Sequence, residues 1–491
     1  MLTKSKRRKA LETLPTGLYD SFQGIITRIR ECSNACQAEL GMQVLMWLHF
    51  ACRPLKLREL QHALAVEKSD KEFDRDNIPS CITLLDCCLG LVVVDDETLT
   101  VRFVHYTLEE YFQDNSKAEF PNGHIPIAET CLTYINFGEL KQPCTTVNSL
   151  KESMHNYDFL EYAAVNWGIH VQQQCNEGLT ELVQVVVGQE SKPPCRALQA
   201  LYLGYDRRHY REVIAQKFSG IHAMAYFGLS ENIAYCCKAE QHMDLGDDTD
   251  RTPLSWAAEF GHKSTVQILT ERVDVNINST DERGWSPLLY AAQNGHDSVV
   301  RLLAERDGVD INVKENEEGN TLLHKAAAGG HEAAVRVLLE IDGVDIDAKD
   351  DWGQTPFMWA IWNGHEAIVR LLIERDGVDI DVIAKDGWTP LMRAAWGGYE
   401  AIVRLLIEKN VDINVKNEHG RTPLWYAAEG GHEAAVRLLI GRNDVDIDTE
   451  DKYGQTALSV AARSGHNAIV QLLEDRRDMR ARSPDLVAVP F

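Results

Sequence analysis

The sequence predicts a mainly α-helical chain, with a helix-rich N-terminal half joined to a solenoid of stacked helix pairs. Three observations carry this. The pattern T-P-L-x-x-A-A-x-x-G-H recurs seven times in the C-terminal half, about 34 residues apart. After each copy, apolar residues fall on one face of a helix, as in "EAIVRLLIE", where Ile368, Val369 and Leu372 share a stripe. Ahead of the repeats, three helical stretches are followed by two short strands and a further helix.

The copies begin at Thr252, Ser286, Thr321, Thr355, Thr389, Thr422 and Thr456, at spacings of 34, 35, 34, 34, 33 and 34. Each part of the pattern has a physical reason. Thr or Ser stands where a helix N-cap belongs, and Pro fills the first turn, where its missing N–H costs nothing. The Ala-Ala pair allows two helices to approach closely. Gly ends the first helix, where a left-handed residue is wanted. These residues resemble the ankyrin repeat, over about 250 residues. A weaker copy, "SGIHAMAYFGLS" at 219–230, reads as a degenerate N-terminal capping repeat. At the far end "LLEDRRDMRAR" turns polar, as a C-terminal cap should. The pattern departs from the family in one respect. The His usual after T-P-L stands only at His324 among the seven copies, so the Thr–His bond of this turn is expected to be mostly absent.

The N-terminal half is read from its own signals. "AELGMQVLMWLHFACRPLKLRELQHAL" gives two helices broken at Pro54, and "IPSCITLLDCCLG" gives a third. Two strands follow, Val92–Val94 and Leu99–Val104, with Leu99, Val101 and Phe103 expected on one face. Helix–helix–helix–hairpin is a winged-helix order. "LPTGLYDSF", "RPLKLRELQHAL" and "VRFVHYTLEEYF" resemble the winged-helix region that follows the NACHT nucleotide-binding domain in fungal NACHT–ankyrin proteins of the STAND class. That winged helix bears a name borrowed from GPI inositol-deacylase, which implies no catalysis here. "HIPIAETCLTYINF" and "YDFLEYAAVNWGIHV" resemble the helical segment that links it to the repeats. The expected organisation is an N-terminal helical segment at 1–30, a winged helix at 31–117, a helical linker at 118–218, repeats at 219–478 and a tail at 479–491.

Several enzymatic readings fail on the residues. "VVVDDE" at 92–97 looks like the magnesium-binding strand of an ATPase, but G-x-x-x-x-G-K-[ST] is absent and the dipeptide "GK" occurs nowhere. The acidic residues then read as the turn of a wing. No G-x-S-x-G nucleophile elbow exists. "GHEA" at 330, 364 and 431 lacks the second His of H-E-x-x-H, since Val335, Val369 and Val436 stand there. "GHKST" at 261 lacks the glycine-rich lead of a phosphate loop. The twelve cysteines form no C-x-x-C pair, and reduced thiols are expected. No catalytic residue, metal, cofactor or small-molecule substrate is therefore expected. One residue keeps a trace of nucleotide chemistry. The STAND resemblance implies that His105 touches a nucleotide phosphate; the plainer reading is a cap for the "TLEEYF" helix.

Charge narrows the partners. The net charge is −24. Residues 1–218, with 28 acidic and 23 basic side chains, carry −5, leaving −19 for 219–491. Residues 35–115 hold 14 acidic and 7 basic side chains, and the third helix has no Lys or Arg, which argues against DNA. "KSKRRK" at Lys4–Lys9 is the one basic cluster, either a nuclear signal or a solvated helix face. No apolar run is long enough to span a membrane and no signal peptide is visible, so a cytoplasmic protein is expected.

The resemblance implies that the repeats bind another protein through hairpin tips and inner helices. Aromatic residues mark where. Trp285 and Trp388 precede Ser/Thr-Pro, Trp352 and Tyr453 sit at tips, and Trp362 and Trp396 share one helix position. Trp256, Tyr290, Trp359 and Tyr426 share another, with Phe260 and Trp425 nearby. An aromatic row among acidic tips favours a basic protein partner; the alternative is that these rings pack between repeats. The expected function is a non-enzymatic recognition scaffold. The alternative is part of a STAND nucleotide switch whose NACHT domain is missing from this chain.

Overall fold

The computed structural model describes residues 17–68, 70–188, 195–206, 214–239 and 242–482. The basic cluster at 4–9 lies outside them. Two compact units divide at Asp248 and Thr249. Among the described residues no helix is long and apolar enough to cross a membrane, and all twelve cysteines are free thiols.

The first unit opens with α1 (Gly17–Arg30), α2 (Ala35–Phe50), α3 (Leu57–Leu64) and α4 (Cys81–Cys87). Asn34 caps α2, its Oδ1 accepting the N–H groups of Cys36 at 3.1 Å and Gln37 at 3.4 Å. Pro54 separates α2 from α3, and Arg53 spans the break with paired bonds of 2.8 and 2.6 Å to Glu59. At Gly41 α2 runs so close to α4 that a Cβ would lie 2.7 Å from the Cys87 carbonyl oxygen.

The wing is an antiparallel hairpin of β1 (Val92–Val94) and β2 (Val101–Phe103). Lys56 bridges to Thr100 as a third edge. Leu99 departs from its expected place. It lies in the turn with φ +55° and is 60% exposed. Asp95 causes this. Its Oδ1 accepts the N–H groups of Glu97 at 3.2 Å and Thr98 at 3.0 Å, and its carbonyl takes the N–H of Leu99 at 2.8 Å. These bonds wind residues 95–99 into a loop, which removes Leu99 from the strand. Arg102 pairs with Asp95 Oδ2 at 3.0 Å. Together they hold the Asp95 carboxyl below its ordinary range, the Thr98 N–H bond contributing most. The acidic stretch is the wing's turn.

Beyond α5 (Tyr106–Glu119) the unit is helical: α6 (His124–Ile135), α7 (Val147–Asn156), α8 (Leu160–Gln173), α9 (Glu177–Val187) and α10 (Arg196–Asp206). The helices of the weak copy, α11 (Gly220–Phe227) and α12 (Ser230–Lys238), belong to this unit too. Buried Trp167 of α8 meets Phe227 at 5.0 Å between ring centroids. Gly168 makes room, since a Cβ there would come within 2.1 Å of the Phe227 ring. A polar hub ties distant segments. The Tyr162 hydroxyl accepts the Cys52 N–H at 3.1 Å and meets His170 Nε2 at 3.0 Å, while His170 Nδ1 meets His124 Nδ1 at 2.9 Å.

The second unit is the repeat array. First helices run Pro253–Glu259, Pro287–Gln293, Leu322–Ala328, Pro356–Trp362, Pro390–Gly397, Pro423–Glu429 and Ala457–Arg463. Second helices run Lys263–Thr270, Asp297–Ala304, Glu332–Glu340, Glu366–Ile373, Glu400–Glu408, Glu433–Gly441 and Asn467–Arg482. First helices stack on first helices and second on second, giving two layers. The Ala-Ala pairs lie fully buried between them, as at Ala257, Ala258, Ala394 and Ala395. Gly398 ends its helix at φ +68°, as the pattern requires.

Candidate protein-binding face

The caps hold the first helices at a fixed pitch. Thr252, Ser286, Thr355, Thr389 and Thr422 each accept the N–H of the residue three places on. In the third repeat His324 does more. Its Nδ1 accepts the Thr321 N–H at 3.1 Å and its Nε2 meets the Gln354 carbonyl at 3.0 Å. Burial holds the His324 imidazole down at about 4. His222 repeats this arrangement in the weak copy. Its Nδ1 accepts the Ser219 N–H at 3.1 Å and its Nε2 meets the Leu245 carbonyl at 2.9 Å. His222 lies in the weak copy, outside the seven clear ones among which only His324 fills this place.

The recurrent Gly-His also has a structural task. Nε2 of His296, His331, His365, His432 and His466 bonds a carbonyl of Glu259, Gln293, Ala328, Trp396 and Glu429, at 2.8, 2.8, 3.0, 2.9 and 3.1 Å. Each bond joins one repeat to the end of the preceding first helix. Tyr399 takes the same role, donating its hydroxyl to the Trp362 carbonyl at 3.3 Å. These imidazoles are clips, and among the described residues no group of His, Cys, Asp and Glu is arranged to hold a metal.

A second tie fixes the hairpins to the first helices. Asp281 Oδ1 accepts the N–H groups of Arg283 at 2.9 Å and Trp285 at 2.8 Å, while Oδ2 accepts the Tyr290 hydroxyl at 2.6 Å. Asp350 does the same with Trp352, Gln354 and the indole of Trp359 at 2.9, 2.7 and 2.9 Å. Asn417 holds His419 and Arg421 through Oδ1 and donates Nδ2 to the Tyr426 hydroxyl at 2.7 Å. Tyr290, Trp359 and Tyr426 thus have their polar ends committed to the fold. The nine-residue spacing from Asp or Asn to the aromatic is present in the sequence, but the bond it makes is visible only in the fold.

Between these ties lies a stack of rings and guanidinium groups. Arg251 lies over Trp256 at 3.8 Å and Tyr290 at 4.2 Å, and pairs with Glu259. Lys325 stands 5.1 Å from Trp285. Arg393 is sandwiched between Trp362 at 3.8 Å and Trp388 at 4.2 Å. Arg421 lies 3.8 Å from Trp425. Burial brings the Arg393 guanidinium down to about 10, against the pull of Asp386 at 3.3 Å. None of these cations was singled out from the sequence, because stacking is a tertiary event.

The predicted aromatic row therefore divides by exposure. Trp256, Trp425 and Tyr426 are buried at 1, 1 and 3% exposure, and Tyr290 is buried as well. They offer a partner no surface, and packing between repeats is the reading that fits them. Phe260, Trp285, Trp359 and Trp388 are half-buried. Trp352, Trp362 and Trp396 stand 46, 38 and 46% exposed, and Tyr453 stands 74% exposed. Trp362 and Trp396 meet at 5.5 Å between centroids, and Trp388 meets Trp396 edge-on at 6.4 Å. These three rings form one patch across the fourth and fifth repeats. His105, in the first unit, caps α5: its Nδ1 accepts the Thr107 N–H at 3.3 Å and bonds the Thr107 hydroxyl at 2.8 Å.

Comparison with known families agrees with this architecture. The family described as ankyrin repeats (3 copies) matches at 221–315, 271–350, 307–384, 341–417 and 410–483, together more than half of the chain. The family described as GPI inositol-deacylase, winged helix domain, matches residues 31–121. Among solved structures, the crystal structure of the human ASB11 ankyrin repeat domain is 27% identical over 46% of this chain and 98% of that one, with a TM-score of 0.42. No curated protein matches the chain.

Proposed function

The chain belongs to the ankyrin-repeat family, and from that premise we propose that it is a recognition scaffold that holds a protein partner against the exposed tryptophans of its first-helix layer. The observation that carries this is the patch where Trp362 and Trp396, exposed on two successive first helices, meet half-buried Trp388 of the hairpin, while Trp256, Tyr290, Trp425 and Tyr426 are sunk in the stack. Large rings left at a surface supply contact area at low entropic cost, and tryptophan is enriched where interfaces concentrate their energy. The rings are also fixed in advance. Trp362 and Trp388 clasp Arg393, and the Trp362 carbonyl holds Tyr399. A partner meets a formed surface and orders little on binding. The partner in this reading is protein, since the excess of carboxylates over the array repels a phosphate backbone.

The test is recovery of bound protein from a native extract by the full-length chain and by the Trp362→Ala/Trp396→Ala double variant. The expected result is a specific band or set of bands lost in the variant while its circular dichroism and unfolding midpoint persist. Equal recovery by both would end the proposal.

A further inference from the structure

Trp396 is 46% exposed, with Trp362 and Trp388 against it. The array itself shows what such a ring accepts. At three places a guanidinium lies 3.8 Å from an indole: Arg251 on Trp256, Arg393 on Trp362 and Arg421 on Trp425. Each of those cations has a nearby carboxylate, Glu259, Asp386 and Asp451. Ring plus carboxylate is thus the unit this face uses to hold an arginine. At the patch that unit is left incomplete. Trp396 adjoins Trp362 and Trp388, yet among the described residues no Lys or Arg stacks on it. Asp386 keeps its side chain 48% exposed, although it already touches Arg393 at 3.3 Å. Arg393 itself is 5% exposed, so the surface shows ring and carboxylate with the cation withdrawn.

Resting on the recognition reading above, we infer that the occupant is an extended, arginine-bearing segment of a partner protein, one guanidinium lying on Trp396 and drawn by Asp386. Residues 249–491 hold 41 acidic and 26 basic side chains, so the surrounding field attracts a cationic segment and opposes a second copy of this chain. Arginine is favoured over lysine, because the planar guanidinium stacks and is less strongly hydrated. The three internal cations that lie 3.8 Å from an indole are arginines, whereas the lysine pair, Lys325 on Trp285 beside Glu315 and Glu318, stands off at 5.1 Å.

The experiment titrates full-length protein with three synthetic peptides of a Gly-Ser backbone, carrying Arg, Lys or Gln at the same two positions, at two salt concentrations. The Arg peptide is expected to bind about fivefold more tightly than the Lys peptide, with no binding of the Gln peptide. Trp396→Ala is expected to remove that preference, Trp396→Phe to keep most of it, and Asp386→Asn to weaken binding and flatten its salt dependence. Equal affinity for Arg and Lys, unchanged in Trp396→Ala, would overturn the inference and leave only attraction by net charge. Self-association that rises with protein concentration and is lost in Trp396→Ala would overturn it in favour of a second copy. Loss of extract partners in the double variant without any Arg-peptide binding would retain the recognition reading and reject the guanidinium.

Discussion

The indole N–H of Trp359 donates to Oδ2 of Asp350 at 2.9 Å, while Oδ1 of the same carboxylate gathers the N–H groups of Trp352 and Gln354. One buried side chain thereby fixes both the shape of a hairpin and the angle at which it leaves its helix. Replacing Asp350 by Ala strands three donors in a site that is 5% exposed. The expected loss is about 2–3 kcal/mol in urea unfolding, most of it from the unpaired backbone groups. Trp359→Phe removes only the indole bond and should cost clearly less.

A neighbouring ladder contains one mismatched rung. Asn278, Asn312 and Asn414 accept a backbone N–H of the next repeat and donate Nδ2 to a carbonyl of Gly308, Gly343 and Asp444 at 2.7, 2.8 and 2.7 Å. Asp347 fills the same place. Its Oδ2 accepts the Asp379 N–H at 2.8 Å, but Oδ1 meets no donor in the protein. Burial pushes this carboxyl above its ordinary value. Such an acid stabilises the fold when protonated and loses that contribution as pH rises through its folded value. Asp347→Asn should therefore stabilise the array at neutral pH by about 1 kcal/mol. The gain should shrink toward acid pH, where the native side chain becomes a donor. A midpoint unchanged at pH 7 would count against this account.

His331 joins the third repeat to the second through the Gln293 carbonyl. His331→Ala should cost about 1 kcal/mol. Tyr399→His should be nearly neutral, because Tyr399 already makes the equivalent bond. Added zinc or a chelator should leave the unfolding midpoint of either variant and of the parent unchanged, since these imidazoles serve as clips.

The first unit should be acid-sensitive through its hub. Burial, then the neighbouring His124, hold the His170 imidazole down at about 3. Burial also lowers His124 and His49. A base whose folded value is depressed contributes fully above its unfolded value of 6.5 and loses that contribution as pH falls below it. Urea midpoints of the first unit, followed by Trp47 and Trp167 fluorescence, should decline from about pH 6.5 downward. His124→Asn, which keeps a polar partner for His170 and removes one titrating group, should make the decline shallower.

Much of the array was legible because each repeat is solved locally. Thr at the cap, Pro in the first turn and Gly at the end are dictated by backbone geometry that three or four residues determine. Their seven-fold recurrence excluded chance. The winged-helix order was legible for the same reason, but the second strand of its wing runs Val101–Phe103 where Leu99–Val104 was expected. Alternation cannot distinguish a strand residue from one that a carboxylate has wound into a turn, and Asp95 does that to Leu99.

The aromatic face was legible only as a set of rings. Sequence placed Trp256, Tyr290, Trp359 and Tyr426 in one register, and they do share it. Exposure within that register depends on which neighbour covers each ring, and a neighbour lies a full repeat away in sequence. Arg251 lies over both Trp256 of its own repeat and Tyr290 of the next. Trp396 touches Trp362 and Trp388 and stays 46% exposed. The sequence by itself determined the repeat period, the caps, the helix pairs and the winged-helix order, because these follow from short-range backbone chemistry. Only the tertiary structure decided which tryptophans are core and which are surface, and where the cations withdraw, because burial is settled by contacts between repeats.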